Sequence, residues 1–144
     1  VVFNIRAILH FVGDMHCPSH CKYINGRDDA KPRVYLRGEY MGSFHAFYDK
    51  MANHIYGKKK SASELAKELD TYSKGKIKRI CKGNHHDWAE ECMRTTYVIH
   101  QWNPNDGTKD LRDNTIELSK PIIDKQLRHA GYRMAHLLNK YFGK

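Results

Sequence analysis

Five side chains near the start of the chain have the types and spacing of metal ligands: His10, Asp14, His20, His45 and Asp49. His10 and Asp14 are four positions apart, as are His45 and Asp49, and residues four apart on a helix project from one face about one turn from each other. His20 follows Pro18, where the chain can turn back toward the end of the first segment. Either pair alone reads as a surface ion pair. Two pairs flanked by apolar residues, with a third histidine beside a proline break, read as a zinc site, because zinc takes three or four imidazole nitrogens and carboxylate oxygens at short range. The chain holds ten histidines. His16 is read as pointing elsewhere or supporting the ligands from behind. His54, His85, His86, His100, His129 and His136 share no spacing with a carboxylate cluster and read as surface or satisfied core residues.

The elements that must position these ligands are mainly helices. Val1, Ile5, Ile8, Leu9 and Val12 recur at helical spacing, and the helix they define should stop at about Asp14–His16, before Pro18. Because no helix cap precedes them, the chain is expected to open inside a buried helix. Asn25–Asp29 reads as a turn and Arg33–Arg37 as a short strand ending at Gly38. A helix from about Ser43 to Tyr56 follows, closed by Gly57. Ser61 and Glu64 have capping-box spacing ahead of Leu65, Leu69 and Tyr72. Residues 74–84 read as loop or frayed helix, Asp87–Gln101 as helix, and Asn103–Gly107 as a break. Leu111–Phe142 reads as helix with a kink or break at Pro121. The fold class is therefore mostly α with at most one small β-hairpin, without internal repeats or a linker that would split domains.

Composition narrows the partners. In 144 residues, 25 Lys and Arg against 16 Asp and Glu give a net charge of +9, which points to an anionic partner such as nucleic acid or a lipid headgroup surface. With 40% hydrophobic residues the chain can build a core. Mean hydropathy is −0.75, and no apolar run approaches the ~18 residues a membrane span needs. Lys58–Lys60 and Lys74–Lys82 are the densest basic stretches. They could track a phosphate backbone but read first as solvated loops. Cysteines stand at 17, 21, 81 and 92, which allows three full pairings. A structural role or free buried thiols is the favoured reading, with thiolate participation at the metal by Cys17 and Cys21 as the alternative.

The segment His10-Phe11-Val12-Gly13-Asp14-Met15-His16-Cys17-Pro18-Ser19-His20 closely resembles the H-F-x-G-D-x-H-Q-P-L-H signature of S1/P1-type zinc nucleases. Phe44–Asp49 is similar to their L-H-S-x-W-D segment. Gln126–Asn139 resembles their Q-I-x-x-x-G-x-R-L-A-x-x-L-N closing helix, and Trp88–Glu91 matches a further segment in order. The resemblance implies a mostly α-helical domain holding three zincs at the bottom of a cleft. His10 would bind one zinc, Asp14 would bridge it to a second as the catalytic metal-bridging carboxylate, and His20, His45 and Asp49 would form a third, complete site. The family's other ligands come from an N-terminal half. Residues 1–144 are therefore expected to be the C-terminal part of a single domain, its front half cleaved, left out or carried by a separate chain, and this part alone is expected to be inactive.

The resemblance also implies hydrolysis of single-stranded DNA or RNA to 5′-phosphate products, a 3′-nucleotidase activity, and a secreted or periplasmic location. Exported members commonly hold disulfides, and Cys81–Cys92 would close a short loop onto a helix. Zinc phospholipase C shares the fold and much of the first motif but typically has Glu where Asp49 stands; a non-catalytic basic relative is the third reading. Cys17 replaces the family's Gln, Ser19 its Leu, and Tyr48 stands where Trp is common, as a stacking or packing residue. The family's Gly-Gly-Asn stretch after the first motif is absent, and Arg27–Pro32 occupies that region.

Overall fold

The computed structural model describes residues 1–20, 32–102 and 108–143. The expected turn at Asn25–Asp29 and break at Asn103–Gly107 lie outside the described residues. Helix α1 (Val2–His16) ends where Pro18 requires: Cys17 turns extended (φ −84, ψ 128), the conformation favoured before proline, and Pro18–His20 form one 3-10 turn. Strands β1 (Arg33–Leu36) and β2 (Glu39–Ser43) form an antiparallel hairpin. Arg37 and Gly38 both have positive φ (53 and 80) at its tip, as a two-residue turn matched to strand twist needs. A third strand, β3 (Thr108–Leu111), adds parallel to β1, giving the order β2-β1-β3. Sequence reading placed Leu111 at a helix start instead. Its short strand lacks a clear alternation, and only pairing with β1 reveals it.

Ser43 ends β2 and caps the next helix, its hydroxyl accepting from Ala46 N–H at 3.1 Å. The helix expected over Ser43–Tyr56 is two helices, α2 (Phe44–Asp49) and α3 (Met51–Tyr56), separated at Lys50. The break leaves Phe44, Phe47, Tyr48 and Met51 all in the core. Helix α4 (Ala62–Leu69) has both capping-box bonds, Glu64 N–H to Ser61 Oγ at 3.2 Å and Ser61 N–H to Glu64 Oε2 at 2.8 Å. Residues 74–80 form a full helix, α5 (Lys74–Ile80), capped by Ser73. Helix α6 (His85–Trp102) buries Trp88, Cys92, Thr96 and Ile99, and α7 (Thr115–Phe142) runs through Pro121 without a break.

Helix α7 is the spine, packing against α1, α3, α4, α5 and α6. The main apolar cluster joins Val34 and Leu36 of β1, Leu111 of β3, Phe44, Phe47, Tyr48 and Met51, and Ile99 and Ile123. Tyr48, 3% exposed, packs against Phe44 and Phe47, so its role is packing. The expectation of a buried opening helix is corrected in part. Of its apolar positions Val12 is buried, but Val1 and Leu9 are exposed, and Phe3 (81%) and Phe11 (67%) face solvent beside them. No helix among the described residues is long and apolar enough to cross a membrane.

Candidate metal centre

All five sequence-predicted ligands converge. Helix α1 carries His10 and Asp14, the 3-10 turn carries His20, and α2 carries His45 and Asp49. His10 Nε2 lies 3.3 Å from Asp14 Oδ2, and His20 Nδ1 lies 3.6 Å from the same oxygen. His20 turns its other nitrogen to Asp49 Oδ1 at 3.2 Å, while His45 Nε2 sits 3.0 Å from Asp49 Oδ2. One imidazole thus stands between two carboxylates and links the pairs into a single chain of nitrogen and oxygen donors. The His20 and His45 rings lie 4.5 Å apart between centroids. The cluster is half-exposed, so a solute can reach it.

Two neighbours join this group. Cys17 Sγ donates to Asp49 Oδ1 at 3.3 Å, and Ser19 Oγ donates to the same oxygen at 3.2 Å. Cys17, His20 and Asp49 each offer one donor atom, and these atoms all lie within 4.8 Å of one another. Burial first, and then the nearby Asp49 carboxylate, push the Cys17 thiol up to about 11, against the pull of its bonds to Ser19. The only sequence sign of this contact is that Cys17 is three residues before His20, on the other side of the same proline.

The ligand-bearing turn is held from behind by buried polar side chains of α6 and α7. Gln126 Nε2 donates to the His16 carbonyl at 3.2 Å, and His100 Nε2 donates to the Pro18 carbonyl at 3.1 Å. His16 donates from Nδ1 to Val12 O at 2.7 Å and accepts at Nε2 from Arg133 Nη1 at 2.9 Å. Accepting from Arg133 needs a neutral ring, and burial lowers the His16 pKa to about 4. Arg133, 1% exposed, also pairs with Glu91 and donates to Ile80 O at 3.0 Å. Burial would raise the Glu91 pKa, but the Arg133 guanidinium outweighs it and holds the carboxyl below its usual value. The His16 side chain is turned away from the five candidate ligands, to Val12 and Arg133. His100 is a satisfied core residue with a positional role that spacing did not reveal.

The other candidates resolve locally. Cys81 and Cys92 are buried free thiols, in line with the favoured reading, and the Cys81–Cys92 pairing offered by the resemblance is not formed; Cys21 lies outside the described residues. Cys81 caps the end of α5 and Cys92 lies within α6, and Cys81 Sγ donates to Tyr132 O at 3.6 Å. Lys60 is paired with Glu68, and α5 presents Lys74, Lys76, Lys78 and Arg79 to solvent.

No curated protein and no solved structure matches the chain at a significant level. The model of one protein family, described as S1/P1 Nuclease, matches residues 2–143. That span takes in the donor cluster and the helices that hold it, and the chain belongs to the S1/P1 nuclease family.

Proposed function

We propose that the protein is a zinc-dependent phosphodiesterase that hydrolyses single-stranded DNA or RNA to 5′-phosphate products, with 3′-nucleotidase activity at the same site. The observation that carries this reading is the continuous His10–Asp14–His20–Asp49–His45 cluster, whose neighbouring nitrogens and oxygens are 3.0–3.6 Å apart. Imidazole nitrogen and carboxylate oxygen are zinc's donors, and such spacing suits atoms that share one ion. When bound, zinc supplies Lewis acidity toward phosphoryl oxygens and a nucleophile at neutral pH.

The chain's own residues hold and orient. By the family pattern His20, His45 and Asp49 would form one complete donor set, and Asp49 presents one oxygen to each histidine. Asp14 faces His10 and His20 through one oxygen and by the same pattern would bridge two ions. The half-exposed cluster admits a phosphodiester, and the basic residues of α5 add positive charge that favours an anionic polymer over a neutral one. By the family pattern, His10 and Asp14 take their further partner ligands from an N-terminal half of the same domain, present in the chain or as a separate one. The exposed Phe3 and Phe11 on α1 are consistent with such a covering segment. The family pattern also supports a secreted or periplasmic location.

The test offers zinc-loaded protein, joined to the family's N-terminal half, single-stranded DNA and phosphatidylcholine in parallel. Cleavage of DNA to 5′-phosphate ends, abolished by a chelator and restored by zinc, is expected. Turnover of phosphatidylcholine without cleavage of DNA would overturn the nuclease reading in favour of a phospholipase C.

A further inference from the structure

We propose that Cys17 is a thiolate ligand of the zinc held by His20 and Asp49, so that this centre includes sulfur. The inference rests on the zinc reading above and adds a donor to it. The Cys17, His20 and Asp49 donor atoms lie within 4.8 Å of one another, and Asp49 Oδ1 receives both the Cys17 thiol at 3.3 Å and His20 Nε2 at 3.2 Å. In a tetrahedral centre with Zn–S about 2.3 Å and Zn–N or Zn–O about 2.0–2.2 Å, neighbouring donors stand roughly 3.3–3.7 Å apart. The two approaches to Asp49 Oδ1 are already close to that spacing. His45 reaches the other Asp49 oxygen at 3.0 Å and stands outside this group of three.

Local structure puts the sulfur there. Pro18 forces Cys17 out of the helix into an extended conformation, and the 3-10 turn then brings His20 round to the same carboxylate. Ser19 Oγ lies 3.0 Å from Cys17 Sγ and can turn its hydroxyl hydrogen to a thiolate. On ligation the S–H bond breaks, the proton passes to solvent, and a sulfur–zinc bond forms; no electron is transferred. If His45 also closes onto the ion, four protein donors fill a tetrahedral zinc, as in closed sites. A phosphate oxygen would then have to enter as a fifth ligand or displace one of the four. The chain's departure from the family's Gln at this position therefore changes what the centre leaves open.

Cobalt(II) in place of zinc reads this directly, since a thiolate ligand gives an intense near-ultraviolet charge-transfer band and a purely N/O site does not. The protein loaded with one equivalent of cobalt is expected to show the band, and Cys17→Ser to lose it while still binding cobalt. A band that survives in Cys17→Ser, or bound cobalt with no band in the unaltered protein, would overturn the proposal and leave the N/O zinc site standing. Failure to bind cobalt at all would overturn both. Alkylation mapping on the unaltered protein needs no variant: zinc should protect Cys17 from iodoacetamide, and equal labelling with and without zinc would count against ligation.

Discussion

At Asp49 two imidazoles, a thiol and a hydroxyl converge on one carboxylate. Each oxygen faces a different histidine, so replacing it disconnects the cluster rather than trimming it. Asp49→Asn should weaken zinc binding by more than the roughly 10–100-fold that loss of a residue merely supporting a ligand costs. Competition with a chromophoric chelator measures this, and unchanged affinity would remove Asp49 from the site. Four of the five candidate ligands could be read from sequence because each pair is local, and His20 from its place beside Pro18. Four-residue spacing on a helix forces His10 toward Asp14 and His45 toward Asp49 whatever the tertiary fold. Cys17 could not be read in the same way. Its approach to Asp49 depends on how the 3-10 turn meets α2, which no local rule fixes.

Helices α6 and α7 set the height and angle of the turn that carries His20. Gln126 and His100 take its carbonyls, and Arg133 takes the His16 ring while pairing with Glu91. Arg133→Ala would leave the His16 acceptor without its donor and the Glu91 carboxylate with only Lys125 and His129 beside it, at a cost of about 2–3 kcal/mol in urea-unfolding stability. Gln126→Met removes one bond from behind the turn and should weaken zinc binding roughly tenfold with a smaller effect on folding. On the same helix, burial lowers the His129 pKa to about 4, with Glu91 opposing and Arg133, Lys125 and Lys76 reinforcing the shift. A base whose folded pKa lies below its unfolded value binds its proton more readily when unfolded. This group's contribution to stability therefore falls as pH drops from about 6.5 toward about 4, and is flat above that window. In chelator-treated protein, His129→Gln should flatten the fall of melting temperature over that interval; an unaltered profile would contradict the assignment. The network joins residues 12–18 to residues 91–133, too far apart in sequence for periodicity to show. The sequence marked His16 as a possible support and set Glu91, Gln126 and Arg133 in family-like segments, but not that they meet.

Over the whole molecule, α7 lies against five other helices, while the hairpin and β3 close the core beside α2. Helical content was legible because capping boxes, Gly57 and Pro18 act locally. The parallel β3 was not, because its partner strand lies 75 residues earlier. This frame leaves the donor cluster at the surface, where a large anionic polymer can reach it. Whether the cluster is a zinc centre is read from crystals grown with zinc and measured at its absorption edge. An anomalous peak is predicted about 2.0–2.3 Å from donors of His20, His45 and Asp49, with Cys17 Sγ at the longer distance. Zinc found only at other histidines, such as the adjacent His85 and His86, would contradict it.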